Sequence, residues 1–367
     1  MCLACGAVSM LPCLDLGPQP MANDFKNSPH EPETAYPLAV ELCPECHHLQ
    51  LTYFLEPDLM FKHYLYVSGT SATYRKYMEW FADIAGSGRV LDIGCNDGTQ
   101  LDVFKARGCE TWGIDPAENL FPISSAKHRV SLGYFEDYNP GVTFDIMNAQ
   151  NVFAHNRDPL GFLMHAKTMM HSNTRFYIQT SQADMVHNGE FDTIYHEHIN
   201  FFNVMSFKKL TERAGLVLLD VHKTPIHGTS YMFVVGLEGT PDPRVEQELA
   251  VENARGLHST ETYSAWADKC RAFRDRVSND LRGKSIVAYG AAAKGNTLLN
   301  FLRLKPDVII DDNPLKHGKY SPGMRVPVCS SEYIKTIDRP VVFLPLAWNL
   351  YDEIKSKLPD GEFYKLF

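Results

Sequence analysis

The chain has 367 residues with 44% hydrophobic and 11% aromatic content, enough to bury the cores of two or three domains. Its net charge of −9 argues against a nucleic-acid surface. No apolar run of about 18 residues or more is present, and residues 1–30 lack the basic start and apolar centre of a secretory signal, so a cytoplasmic protein without a membrane span is expected.

Five of the nine cysteines fall in the first 46 residues, and four of them form two C-x2-C knuckles. Cys2-Leu-Ala-Cys5 and Cys43-Pro-Glu-Cys46 have the spacing by which a tight turn aims two thiolates at one tetrahedral zinc, and two such turns close a four-sulfur structural site. His47 and His48 are spare candidates expected at the surface. The Pro-rich stretch between the knuckles has little periodicity and suggests a loop-rich lobe held by its metal.

From Tyr74 to Ile84 apolar residues recur at helical spacing, so a helix is expected to lead into the following strand. Tyr64, Tyr66 and Ser68-Gly69-Thr70-Ser71 precede it; their hydroxyls could face a ligand or pack in a core. VLDIGCNDG, Val90 to Gly98, reads as a buried strand entering a glycine-bounded turn, with a helix from near Gly98. Asn96 stands where the dinucleotide fingerprint would place a further glycine. Asp92 at the strand end would repel a phosphate and attract a sulfonium, which favours S-adenosylmethionine over NAD. The next strand, Thr111 to Asp115, ends in a carboxylate placed to accept hydrogen bonds from ribose hydroxyls.

Strands at Val90–Ile93, Thr111–Asp115, Phe144–Ala149 and Arg175–Thr180 alternate with helical stretches, as a doubly wound parallel sheet requires. Asn148, Gln150, Asn151 and His155 cluster in FDIMNAQNVFAHN and suggest the lining of a site beyond the strand ends. In EFDTIYHEHINFF, Tyr195, His196, Glu197 and His198 set two imidazoles, a carboxylate and a phenol side by side. H-x-H could ligate a metal but has no third ligand at a recognisable spacing, so general acid–base work is the better reading. His227 and Gly228 fall at a bend before a strand, and a segment of helical spacing, Pro243 to Arg282, follows. SIVAYGAAAKGNTLLNFL then repeats the strand, glycine turn and helix: a strand Ser285–Tyr289, a turn Gly290–Gly295 containing Lys294, and a helix from about Asn296, a turn suited to an anionic group such as a phosphate. Further strands are expected in Asp307–Asn313 and Val341–Ala347.

Taken together, the zinc knuckles, YVSGTS, VLDIGCNDGTQL, GIDPAEN, NVFAHN, YHEHINFF, HGTS and GAAAKGNTLLN followed by IDDNPLKHGKYSPG closely resemble the S-adenosylmethionine-dependent sugar C-methyltransferases, which act on nucleotide-linked 4-keto-deoxysugars. The resemblance implies an α/β protein in which a Rossmann-like class I methyltransferase domain (61–205) is flanked by a zinc-binding lobe (1–60) and a second Rossmann-like domain holding the nucleotide sugar (206–367). It implies His198 as the base, with Tyr195, Glu197, Tyr66 and His155 beside it. Asp92, Gly94, Asn96, Asp97, Gly98, Asp115, Asn148, Gln150 and Asn151 would bind the cofactor, and His196, Gly290, Lys294, Gly295, Asn296 and Asp312 the substrate, a dTDP- or GDP-linked 4-keto sugar. Cys2, Cys5, Cys43 and Cys46 would hold the zinc, in a monomer or homodimer. Gly69, Gln150, Thr229 and Tyr231 depart from the family's usual pattern, at positions that bear on the identity of the sugar. Rival readings are an O- or N-methyltransferase of another small metabolite and a zinc-ribbon binding module that uses S-adenosylmethionine only as a ligand.

Overall fold

The computed structural model describes residues 1–62, 67–70, 72–181, 184–224, 230–358 and 361–367, and among them the strands form three sheets. The N-terminal lobe has more regular structure than its sequence suggests: β1 (Leu11–Gln19), β2 (Tyr36–Leu42) and β3 (Leu49–Leu51) form an antiparallel sheet. Two register shifts, Pro12/Leu14 and Asp15/Pro18, interrupt the β1–β2 ladder beside prolines that cannot donate to it, which blurs the alternation. Leu14, Leu16, Leu38, Val40 and Leu42 bury the inner face in one core with residues from the C-terminal part of the chain.

The central sheet contains the expected parallel strands β4 (Arg89–Ile93), β5 (Glu110–Asp115), β7 (Phe144–Gln150) and β8 (Met170–Ser181), and a further one beyond those expected, β6 (Arg129–Leu132). Helix α1 (Ala72–Ala85) precedes β4, and α2 (Thr99–Ala106) follows its glycine turn. The short β9 (Asn200–Phe201) leaves this sheet and pairs with β3 as the fourth strand of the N-terminal sheet. After α3 (Val204–Arg213), β10 (Val217–Thr224) and β11 (Ser230–Gly236) return to the central sheet, β11 pairing antiparallel with β8 and β10 with β11. A domain boundary at residue 206 is therefore corrected: residues 217–236 complete the central sheet, because seven strands in the order β10-β11-β8-β7-β4-β5-β6 share one ladder.

Two helices lead onward, α4 (Pro243–Ala254), capped by Asp242, and α5 (Thr260–Asp280), which buries Tyr263, Trp266, Ala267, Cys270 and Val277 along one stripe. The last unit is a parallel sheet of β12 (Ile286–Tyr289), β13 (Val308–Ile310), β14 (Val328–Cys329), β15 (Val342–Pro345) and β16 (Glu362–Phe363), in the order β14-β13-β12-β15-β16. Helix α6 (Ala293–Leu302) follows β12. No helix among the described residues is long and apolar enough to cross a membrane.

A buried carboxylate ties these parts together. Glu252, on α4, accepts from the Val204 N–H at the start of α3 (2.6 Å), from the Tyr231 hydroxyl on β11 (3.2 Å) and from His258 Nε2 (3.1 Å). Glu252→Gln leaves one buried amide group facing backbone and imidazole donors, and is expected to lower the unfolding free energy by about 1–3 kcal/mol in urea titration.

Candidate active site

β4 is buried from Val90 to Ile93 and ends at Gly94, whose φ of 74° lies in the left-handed region and whose N–H donates to the Ile114 carbonyl (2.8 Å). A Cβ on Gly94 would drive into Val152 Cγ2 in the loop after β7, so this approach of the two loops requires glycine. Asn96, also left-handed with φ 52°, donates its N–H to Asp115 Oδ2 (2.7 Å), and the Ala117 N–H donates to Oδ1 (2.8 Å). Asp115 is thus locked at the end of β5, with further acceptor capacity on both oxygens. Asp97 accepts from the Thr99 N–H (3.1 Å) ahead of α2, which follows Gly98.

The segment just before α1 lies across this loop: the Ser68 N–H donates to Asn96 Oδ1 (3.0 Å) and the Gly69 N–H to Asp97 Oδ2 (3.1 Å). A Cβ on Gly69 would run into Thr99 Oγ1 and stand 2.6 Å from Asp97 Oδ2, a steric reason for glycine where the resembling family has serine. Burial, reinforced by Asp115 and Asp97, holds Asp92 well above the usual carboxylate range, and burial raises Asp115. A cationic ligand group would relieve this repulsion and a phosphate would add to it.

On β7, Asn148 Nδ2 donates to the Leu91 carbonyl (3.3 Å), tying β7 to β4. Gln150 Nε2 donates to Gln100 Oε1 (3.2 Å), and its Oε1 is buried without a hydrogen-bond partner among the described residues. Asn151 donates to the Tyr74 hydroxyl (3.3 Å) and to Gln179 Oε1 (3.2 Å).

The second half of the site is the irregular stretch ahead of β9. His198 Nδ1 donates to the Thr193 carbonyl (2.8 Å), which leaves Nε2 as the acceptor, and the Tyr195 hydroxyl donates to it (2.9 Å). His198 stacks on His155, with centroids 5.2 Å apart, and His155 on Phe61 at 5.4 Å. Burial and the facing His198 push His155 well below the usual imidazole range, so it stays neutral. Its Nε2 is buried and without a hydrogen-bond partner among the described residues. Glu197, 6% exposed, accepts from Asn23 Nδ2 (2.7 Å), a contact from the N-terminal lobe that local sequence pattern could not signal. His196, expected at the substrate, instead donates Nε2 to the Pro37 carbonyl (3.3 Å) and meets the Tyr36 ring edge-on, because the turn of the chain directs it to the N-terminal sheet. Tyr66 lies outside the described residues, as do His227, Gly228 and Thr229.

In the C-terminal unit, Gly290 (φ 97°) donates its N–H to the Ile310 carbonyl (2.7 Å), Ala291 to Asp311 Oδ2 (2.7 Å), and Asn313 to Asp311 Oδ1 (2.9 Å). This repeats the arrangement of Gly94, Asn96, Ala117 and Asp115, so the matching carboxylate is Asp311. The expected Asp312 faces outward, accepting from the Tyr289 hydroxyl (2.6 Å) and pairing with Lys357 (3.1 Å).

Lys294 and Gly295 belong to the first turn of α6 rather than to the loop. A Cβ on Gly295 would stand 2.9 Å from Leu346 Cβ, so this glycine serves close packing of α6 on the loop after β15. Lys294 Nζ lies over the Trp348 ring, 4.6 Å from its centroid; burial lowers its pKa while Asp192 and Glu190 raise it. Asp192 is fully buried and accepts from Trp348 Nε1 (2.7 Å). Burial and the Asp192 charge push Glu190 up to about 7. Lys294 thus lies in the field of two carboxylates of the stretch that leads to His198, in addition to any anionic ligand it would meet. Asn296 donates to the Ala22 carbonyl (2.8 Å) and so faces the N-terminal lobe.

The four cysteine sulfurs of Cys2, Cys5, Cys43 and Cys46 lie within 4.8 Å of one another, with Cys2–Cys46 at 3.6 Å and Cys5–Cys43 at 3.5 Å. Tetrahedral zinc with bonds of about 2.3 Å separates its sulfurs by about 3.8 Å, so the set fits that ion. It is the one cluster of potential metal ligands among the described residues, and H-x-H gains no third ligand there. His48, expected at the surface, is 0% exposed because it packs on Phe202 and bonds Asn200 Oδ1 (3.0 Å).

Three family models match in succession: a zinc binding domain over residues 2–61, a methyltransferase domain over 66–221, and a C-methyltransferase C-terminal domain over 225–362. C-methyltransferase NovU of Streptomyces niveus is 28% identical, over 96% of this chain and 90% of its own. The chain is an S-adenosylmethionine-dependent methyltransferase, and the match to NovU over nearly its whole length together with the C-terminal model supports methyl transfer to carbon. A ubiquinone biosynthesis O-methyltransferase of Aeromonas salmonicida is 24% identical over 41% of this chain and 74% of its own. A solved S-adenosylmethionine-dependent methyltransferase from Clostridium acetobutylicum is 10% identical, over 45% of this chain and 91% of its own, with a TM-score of 0.37. As a methyltransferase the chain uses S-adenosylmethionine, which the acidic, glycine-closed loop after β4 fits, and carries zinc in its N-terminal lobe.

Metal analysis of the purified protein is expected to return about one zinc per chain, and Cys43→Ser to lose it together with soluble yield. Asp115→Asn turns one acceptor oxygen into a donor against a backbone N–H, and calorimetry should show S-adenosylmethionine binding weakened about 10- to 100-fold.

Proposed function

We propose that this methyltransferase acts on the carbon next to the ketone, C-3, of a nucleotide-linked 4-keto-deoxysugar carried on dTDP or GDP. The observation that supports this reading best is His198 held by Thr193 as an Nδ1–H imidazole, with Nε2 against Tyr195 and the neutral His155 stacked behind it. Carbon beside a ketone loses a proton at neutral pH only with a positioned base and a stabilised enolate oxygen. O- and N-methylation need no such pair.

When bound, S-adenosylmethionine supplies an electrophilic methyl group. The chain's own part is to make the carbon nucleophile and hold it. The Tyr195 O–H turns from Nε2 to the ketone oxygen, which opens the Nε2 lone pair to the adjacent C–H. The proton passes from carbon to Nε2, and the electron pair moves into the carbonyl to give an enolate that accepts from Tyr195. The Thr193 carbonyl stabilises the imidazolium through Nδ1–H, and His155, being neutral, adds no positive charge against it. The nucleotide is assigned to the C-terminal unit, whose strand order reverses between β12 and β15, the kind of switch point beyond whose strand ends ligands of such sheets bind.

His198→Asn should lower kcat at least about 100-fold while S-adenosylmethionine still binds. In D2O without the cofactor, the wild type should exchange the C-3 proton of a nucleotide 4-keto sugar and His198→Asn should not. A panel of such sugars followed by mass spectrometry and NMR identifies the substrate. A methyl found on oxygen or nitrogen would reject the enolate reading.

A further inference from the structure

We infer that Asn23, in the N-terminal lobe, is a positioning residue of the methyl-transfer site, acting through Glu197; the inference rests on the reading of Tyr195–His198 as the reacting end. Asn23 Nδ2 donates to Glu197 Oε1 at 2.7 Å, and Glu197 immediately precedes His198 in the chain. The donor reaches the site from far away in sequence, on a strap that other contacts hold in place. The Asp24 N–H bonds the Met21 carbonyl (3.1 Å) and the Phe25 N–H the Asn23 carbonyl (3.0 Å), forming a turn around Asn23. Asn296 at the start of α6 donates to the Ala22 carbonyl (2.8 Å). Lys26 and Tyr320 exchange two backbone hydrogen bonds, at 3.0 and 2.8 Å. The Phe25 ring lies under Lys316, 5.5 Å from its ammonium.

None of these contacts uses the Asn23 side chain. The strap stays docked without it, and the carboxamide is spent on Glu197. An N–H donor fixes one carboxylate oxygen as an acceptor and so restrains the Glu197 side chain, on the residue next to the base in the chain. The N-terminal lobe thereby reaches the residue next to the base, with contacts from the C-terminal unit holding the strap that carries it.

The test uses the full-length zinc-loaded protein with S-adenosylmethionine and the nucleotide 4-keto sugar that the wild type methylates. Asn23→Ala is expected to lower kcat about 10- to 100-fold, as for a lost hydrogen bond to a charged group, with zinc content and affinity for S-adenosylmethionine unchanged. Asn23→Asp sets a second carboxyl against Glu197, so the pair shares a proton and the acidic limb of the kcat–pH profile moves upward. Asn23→Ala in a Glu197→Gln background should add less than about twofold, because the partner is already gone.

A folded, zinc-replete Asn23→Ala enzyme within about twofold of wild type overturns the proposal. Should Asn23→Ala fail to fold, an unshifted pH profile for Asn23→Asp overturns it equally. If Glu197→Gln is impaired and Asn23→Ala is not, the proposal alone fails; if Glu197→Gln and His198→Asn both turn over normally, the reading of the reacting end fails first.

Discussion

One hydrogen bond, from His198 Nδ1 to the Thr193 carbonyl, decides what the imidazole can do. It assigns the proton to Nδ1 and presents the lone pair on Nε2, and the opposite tautomer would offer Tyr195 a donor in place of an acceptor. Thr193 lies in a stretch without regular structure, so its carbonyl stays in place only because the residues before it are fixed elsewhere. Phe191 is caged by Phe273, Phe301 and Phe367, with ring centroids 5.1–5.9 Å away. Asp192 is held by Trp348. The protonation pattern in the central unit therefore depends on aromatic packing in the C-terminal one.

What could be read from the amino acids follows from how local each cause is. The turn at Gly94 and its helix were legible because steric closure, strand burial and the carboxylate of Asp115 are encoded within about one βα unit. The two cysteine knuckles were legible for the same reason, since each pair shares a single tight turn. His48 went astray because its burial depends on Phe202 and Asn200, about 150 residues on in the sequence. The carboxylates that act on Lys294, Asp192 and Glu190, were not legible around it because they lie about 100 residues earlier in the chain. The place of β10 and β11 in the central sheet was hidden because a strand's pattern reports burial and not its partner. Asn23 offered no local signal at all, being one polar residue in an irregular segment.

The two glycine turns show how one piece of backbone chemistry serves two ends. Both place an N–H of the turn and the N–H two residues beyond the carboxylate on the two oxygens of an aspartate, Asp115 in one case and Asp311 in the other. Around Asp115 the neighbours are further carboxylates, Asp92 and Asp97, which suit a cation. Around Asp311 a lysine intervenes: Lys316 reaches 3.8 Å from the carboxylate and donates to the Ala291 carbonyl (2.7 Å). The same scaffold thus stands among carboxylates in one sheet and beside a paired lysine, next to the N-terminal strap, in the other.

The pairing of β3 with β9 bears on how the chain is made. Three strands of the N-terminal sheet are complete by Leu51, and the fourth is Asn200–Phe201, just after Tyr195–His198. During synthesis the lobe leaves the ribosome with one edge open and waits for the whole parallel part of the central sheet to follow before that edge can close. Its early stability must come from the metal and from β1–β3 alone. Closure of the lobe's sheet and completion of the stretch Tyr195–His198 are consequently one late event, and a nascent chain halted before β9 would carry β3 as an exposed strand edge.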